Sequence, residues 1–230
     1  MVRGFFLFND ETLRKGFWNM LDTASLYKKL YQHMGPQGWW PAETQIEMML
    51  GAILVQNTNW RNAAYGIQSL KEATNLDPHH ILRLDLETLQ QLIRSSGFYK
   101  NKAKTIHALL KWLDVHDFDY EAIANYYHKS MRDELLKIKG IGSETADVLF
   151  VYVFGGIEFI PDKYTRRIYE KLGYDQIETY DKFKKHIELP TDFTNQDAKE
   201  FHALLDNFGK NYFNGKNTEK MTFLDQYFVK

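Results

Sequence analysis

Apolar side chains recur at helical spacing through most of the chain. In AETQIEMMLGAILVQ, residues 42–56, Ile46, Met49, Leu50, Ile53 and Leu54 fall at i, i+3 and i+4 intervals, the stripe of a helix buried on one side. Pro41 suits the first turn of that helix. Asn57-Thr58-Asn59 breaks it, and Asn59 is expected to cap a helix carrying Trp60, Ala63, Ala64, Ile67 and Leu70. An earlier helix is expected over residues 25–33, ending at Gly35-Pro36. Asp85 caps LETLQQLIRSS, which stops at Gly97, and YKNKAKTIHALLKWL then keeps Ala103, Ile106, Leu110 and Leu113 on one face. Ser130 with Asp133 has the form of a capping box for a short helix ahead of residue 140. Ser143 is expected to cap TADVLFVYVF, which is apolar nearly all round and therefore belongs in the middle of a domain. Gly155-Gly156 ends it. Asp162 precedes KYTRRIYEKL, closed by Gly173, and a last long helix after Asn195 buries Phe201, Leu204, Leu205 and Phe208. Period-two alternation is scarce, and there is no repeat or low-complexity tract. The fold class is all-α, with Gly155-Gly156 as the candidate hinge.

Composition narrows the chemistry. With no cysteine in 230 residues, disulfides, thiolate zinc sites, cysteine-held iron–sulfur clusters and cysteine nucleophiles are all excluded. The histidines show no metal-binding spacing, so no catalytic metal is expected. No apolar run approaches the ~20 residues of a membrane span, the N-terminus does not read as a signal peptide, and the cytoplasm is the expected compartment. Net charge is −1, from 29 basic and 30 acidic residues. Bulk electrostatics therefore do not bring this chain to nucleic acid, although a few local contacts to phosphate remain open. The 16 Phe, 14 Tyr and 5 Trp exceed what a core alone needs. Trp60, Trp112, Tyr126 and Tyr127 are assigned to the core, and Tyr164, two residues after Asp162, to either core or a binding pocket.

Residues 135–147, LLKIKGIGSETAD, place two glycines between two helices. Glycine permits positive φ and leaves room for a ligand beside the backbone. The amides of Gly140, Ile141 and Gly142 are then free to cradle a phosphate at a helix N-terminus. In this reading Lys137 and Lys139 flank the turn with mobile charge, and Ile141 pins it to the core. A tight corner between helices that needs glycine for geometry alone is the competing reading. Asp162 likewise reads either as a helix cap or as a catalytic carboxylate.

The wider pattern decides more. Residues 136–146 followed by Asp162 resemble the helix–hairpin–helix and Gly/Pro-rich loop–Asp signature of the endonuclease III superfamily of DNA glycosylases. The segment around Gln56 resembles the helix end whose glutamine reaches into the DNA stack, and Gly97-Phe98 resembles the segment carrying a second, apolar wedge. Phe208-Gly209-Lys210 resembles the family's late His-Gly-Arg-type helix. The likeness covers about residues 40–212. It implies two helical lobes, residues 38–156 and residues 1–37 with 157–230, around a cleft that holds the hairpin and Asp162. The family's commonest members hold an iron–sulfur cluster on four cysteines after the last helix. Here Phe213 stands near the first of those positions, so no cluster is expected and aromatic packing is expected instead. A monovalent cation on the hairpin carbonyls is allowed by the resemblance.

The resemblance also sets the expected reaction. Bifunctional members carry a lysine where this chain has Glu144, and a carboxylate cannot form the imine that leads to strand cleavage. Hydrolysis remains: Asp162 stabilises positive charge at C1′ and guides the attacking water. An alkylated purine that is already cationic has a weakened glycosidic bond and is drawn to aromatic faces, which Trp39, Trp40 and Pro41 would supply, with Glu144 lining the pocket. The cluster-free branch with glutamate at this position resembles the 3-methyladenine DNA glycosylases of endonuclease III type. Lys100, Lys102, Lys139 and the hairpin are expected on DNA phosphates, with Lys104, Lys111, Arg166 and Arg167 on solvated faces. The expected function is a monofunctional base-excision glycosylase acting as a monomer on double-stranded DNA with a damaged base. A monofunctional glycosylase for a mismatched or deaminated base, or a non-catalytic DNA-binding protein, stands as the alternative.

Overall fold

Side-chain oxygens start most of the helices. In the computed structural model, which describes residues 21–38, 42–213 and 221–229, twelve α-helices follow one another without a strand among those residues. They are α1 (Thr23–Met34), α2 (Gln45–Leu54), α3 (Trp60–Thr74), α4 (Pro78–Arg83), α5 (Leu86–Leu92), α6 (Tyr99–Asp114), α7 (Tyr120–Tyr127), α8 (Met131–Lys137), α9 (Ser143–Tyr152), α10 (Lys163–Lys171), α11 (Tyr180–Lys184) and α12 (Asn195–Phe213). Asp22, Thr44, Asn59, Asp77, Asp85, Asp119, Asp162 and Thr179 each accept the backbone N–H three residues on. Each such cap stabilises its helix by about 1 kcal/mol.

Three starts differ from the expectation. Helix α2 begins at Gln45 rather than at Pro41, because Thr44 takes the Glu47 amide while Glu47 accepts the Glu43 N–H at 2.9 Å. Ser130 forms no capping box; its hydroxyl turns back to donate to Tyr127 O at 2.7 Å. Ser143 is the first helical residue rather than the cap, and donates instead to Asp181 Oδ2 at 2.9 Å. Helices α4, α7 and α11 went unread because none is long enough to repeat an apolar stripe.

Two hydrophobic cores result. The first takes Met49, Leu50, Ile53 and Leu54 from α2, Leu70 from α3, Ile106, Leu110 and Leu113 from α6, and Leu149 from α9. The second takes Leu26 and Leu30 from α1, Ile168 and Tyr169 from α10, Phe183 from α11, and Phe201, Leu204, Leu205 and Phe208 from α12. Full burial of one such side chain contributes roughly 1.5–3 kcal/mol. Trp60, Trp112 and Tyr127 pack against the first core as expected, but Tyr126 does not: it is 77% exposed.

Charge crosses from one set of helices to the other at Asp147 on α9, which is fully buried. Its carboxylate accepts from Arg132 Nε of α8 at 2.7 Å and, on α11, from Lys184 Nζ at 2.6 Å and Tyr180 Oη at 2.8 Å. Lys184 also pairs with Glu158 at 2.7 Å. Arg166 and Arg167 are not simply solvated. They donate to backbone carbonyls at Glu178 and Phe213, at 3.1 and 2.9 Å, and Arg167 lies over the Phe213 ring. Phe213 is buried against Phe208 and Phe228, with Lys171 also over its face.

Helix α12 lies against α10 at Gly209, where a Cβ would overlap the Tyr164 side chain. Gly209→Ala is therefore expected to force the two helices apart and to destabilise the protein by about 1–3 kcal/mol. Urea unfolding measures this, and an unshifted midpoint would show that the contact yields without cost.

Candidate active site

The turn between α8 and α9 answers the question its two glycines pose. Gly140 has φ +95° and a Cβ there would run into Thr105, so its glycine is required by the fold. Gly142 is different. Its backbone is extended, at φ −94° and ψ 179°, and nothing lies within 4 Å of where a Cβ would be. The fold does not need glycine there. The cradle is smaller than expected, because the Ile141 amide is used inside the turn, donating to Ile138 O at 3.0 Å. What remains is the Gly140–Gly142 edge and the N-terminus of α9, which has no side-chain cap and so keeps its first-turn amides for an outside acceptor. Ile141 is buried as expected, and Lys139 is exposed. Lys137 is exposed and pairs with Glu134 at 2.5 Å.

Glu144 stands in the first turn of α9 and Asp162 caps α10. Asp162 is buried and its Oδ1 accepts the Thr165 amide at 2.7 Å, so the cap fixes the direction of the carboxylate. Burial raises its pKa above the usual carboxylate range, against which the Thr165 hydrogen bond and the Lys210 charge act. Glu144 is exposed at the surface, although neighbouring protein groups displace part of its solvent. That partial desolvation, with the Asp162 charge second, pushes its carboxyl up to about 7, while Arg166 and Lys163 pull the other way. The Asp162 charge is thus felt at Glu144.

Gln56 and Phe98 sit on neighbouring turns. Gln56 Nε2 donates to Thr145 Oγ1 at 2.8 Å and, more weakly, to Gly140 O at 3.4 Å, which braces it against the hairpin. Phe98 is 67% exposed and held at φ 47°, a left-handed conformation that a bulky residue adopts only when its surroundings enforce it. Lys100 is exposed beside it. Lys102 is not available to phosphate: it is only 3% exposed, and its Nζ donates to Leu54 O and Ser96 O. Trp39, Trp40 and Pro41 lie outside the described residues. Gln37, two residues before Trp39, is fastened to α12, its amide donating to Glu200 at 2.5 Å and its side chain accepting from Asn207 at 2.7 Å.

Sequence reasoning missed a second polar group near Asp162. His202, Asp206 and Lys210 are spaced four apart on α12 and share a face. Lys210 pairs with Asp206, whose pKa burial raises with Asp162 contributing. His202 is buried and held neutral, its pKa down to about 4, with Nδ1 2.9 Å from Tyr152 Oη. The i, i+4, i+8 spacing of these polar residues inside an apolar helix was the available signal. Among the described residues no cluster of three or more His, Cys, Asp or Glu is placed to hold a metal, and no helix is long and apolar enough to cross a membrane.

This geometry can be set beside known proteins. Residues 50–192 match the family described as HhH-GPD superfamily base excision DNA repair protein. A Methanocaldococcus jannaschii protein that carries the name of a DNA repair glycosylase is 39% identical over 185 residues, 78% of this chain and 83% of its own. The endonuclease III of Sulfolobus acidocaldarius is 30% identical over 159 residues, 68% of this chain and 69% of its own. Among solved structures, the H. pylori 3-methyladenine DNA glycosylase MagIII bound to 1,N6-ethenoadenine superposes with a TM-score of 0.69 at 28% identity, over 83% of this chain and 98% of that one. A non-covalent endonuclease III–DNA complex shares the fold, with a TM-score of 0.68 at 21% identity over 85% and 88%.

The surroundings of Glu144 carry a consequence for stability. Its folded-state pKa, about 7, lies above its ordinary 4.5, so the folded state holds an extra proton between those values and loses stability as pH rises through them. Glu144→Gln removes that titration. The variant is expected to gain on the wild type in urea midpoint from about pH 5 to about pH 8. Parallel curves for the two proteins would mean that Glu144 ionises as an ordinary solvated carboxylate.

Proposed function

The chain belongs to the HhH-GPD superfamily of base excision DNA repair proteins and has the all-α endonuclease III-like glycosylase fold, and from that premise we propose that it is a monofunctional DNA N-glycosylase for alkylated purines, 3-methyladenine foremost. The observation that carries the reading is a buried carboxylate, Asp162, aimed by the Thr165 amide, its charge reaching a second acid, Glu144, where strand-cleaving relatives would have an amine. The N-terminus of α9 with Gly142, and the exposed ring of Phe98, supply a phosphate contact and an apolar wedge for the duplex. The MagIII neighbour, a 3-methyladenine glycosylase seen with a purine adduct, supports the choice of substrate.

The reaction follows from charge. The target nucleotide is extruded from the stack. Its C1′–N bond breaks with the electron pair leaving on the base, so an alkylated purine departs as a neutral molecule and needs no acid. The positive charge this leaves on the sugar is met by the Asp162 carboxylate, which in a site poor in water acts more strongly than it would in solvent. Water adds at C1′ and its proton passes to Asp162 or to solvent, leaving an abasic site and an uncut strand. Trp39, Trp40 and Pro41 are proposed to face the extruded base, with Lys100 and Lys139 on phosphates.

Incubation with methylated duplex DNA, scoring freed bases and strand nicks separately, tests this. Free 3-methyladenine without nicks is expected, with no protein–DNA crosslink on borohydride reduction. Asp162→Asn should lower release by about 10²-fold or more while duplex binding persists. Because burial raises the Asp162 pKa, the acidic fall in rate should come above the usual carboxylate range. Release of uracil or mispaired bases without 3-methyladenine would assign another lesion, and undiminished activity in the Asn variant would remove Asp162 from the mechanism.

A further inference from the structure

Lys102 has no part in the chemistry above, and its surroundings are unusual for a lysine. It enters from α6 with 3% of its surface exposed, and no carboxylate among the described residues pairs with it: desolvation pushes its ammonium down to about 8. The Nζ donates to two backbone carbonyls, Leu54 O at 2.9 Å and Ser96 O at 2.6 Å. Local structure has left both without their usual donors. The amide that a continuing helix would bring to Leu54 O belongs to Thr58, and it bonds Val55 O. At Ser96 the left-handed backbone of Gly97 and Phe98 diverts the chain before a helical amide can return. Buried carbonyls without donors and a buried cation without an anion are each costly, and here each satisfies the other.

The placement of the two acceptors matters most. Leu54 closes α2 two residues before Gln56, and Ser96 lies two residues before Phe98. One ammonium therefore spans the roots of the two turns that carry the candidate DNA-entering side chains. The end of α2 also concentrates the negative pole of that helix, which favours a cation there. We propose that Lys102 is a positioning residue, a buried two-carbonyl staple that holds the Gln56 and Phe98 turns at a fixed separation so that both side chains meet the same base step. The inference rests on the reading that these two turns enter the duplex. A methionine or leucine would fill the space but leave two carbonyls unsatisfied and the turns free to drift. A misplacement near 1 Å is enough to cost a reaction on the order of 10²-fold.

The test separates this role from a phosphate contact and from base chemistry. Duplexes carrying a tetrahydrofuran abasic analogue, with 2-aminopurine in the opposing strand, report unstacking without any base being released. Lys102→Met and Lys102→Gln are compared with wild type at a temperature where circular dichroism shows each folded. Lys102→Gln, which keeps a polar group in the site, decides the matter if the methionine variant does not fold. The staple predicts a roughly tenfold or greater loss of the 2-aminopurine signal at saturating protein, with salt dependence of binding unchanged. A phosphate contact predicts instead a log–log salt slope lower by about 0.9. Wild-type unstacking in either folded variant, or a lowered salt slope, overturns the proposal, as does a wild-type protein that binds without unstacking. If wild type unstacks DNA yet releases no alkylated base, the proposed substrate fails and the staple stands.

Discussion

A carboxylate with no access to water, Asp147, fixes the relation between the hairpin and the rest of the molecule. It lies one turn after Glu144 on α9 and is shared by Arg132, Lys184 and Tyr180. A buried ion cluster of this kind contributes little net stability compared with well-packed apolar residues, but removing one partner leaves an uncompensated charge and costs about 3–5 kcal/mol. Its value is directional. Hydrophobic surfaces are not directional, whereas three donors on one carboxylate tie α8, α9 and α11 together through oriented contacts. The position of Glu144 and of the open N-terminus of α9 follows from that arrangement.

The second fixed point is Asp162, where structural and chemical roles coincide. Capping α10 orients one oxygen toward the Thr165 amide and the positive end of the helix dipole. Burial works against ionisation while the helix end and Lys210 work for it, so the carboxylate is held ready rather than relaxed. Glu144 is raised as well, by desolvation and the Asp162 charge, with Arg166 and Lys163 opposing. Two acids at neighbouring helix starts are thereby held in different ways, one as a cap and one in a first turn.

Much of this was legible in the residues. Asn59, Asp85 and Asp162 were identifiable as caps because a short acceptor ahead of an apolar stripe is a local signal. The stripe Phe201, Leu204, Leu205 and Phe208 was likewise readable from spacing alone. What escaped depended on tertiary partners. Ser143 looked like a cap until Asp181, 38 positions away, took its hydroxyl. Lys102 looked like one more surface lysine in YKNKAK, since nothing nearby in sequence shows that Leu54 and Ser96 present unpaired carbonyls to it. Ile141 could not be known to spend its amide inside the turn. Gly140 and Gly142, indistinguishable as letters, proved to have different reasons for being glycine.

The second core is assembled from distant parts of the chain. Leu26 and Leu30 of α1 close on residues reaching Leu224, with Phe223 stacked on His33 at 4.2 Å and the Val229 amide bonded to Lys171 O at 2.7 Å. The first core draws almost entirely on one continuous stretch, from Ile46 to Ile160, with Ala198 its late addition. During synthesis on the ribosome the hairpin-bearing half can therefore settle early, while α1 waits, its apolar face unburied, for nearly two hundred later residues to emerge. Chaperones would find their substrate in that interval, and at that end of the molecule.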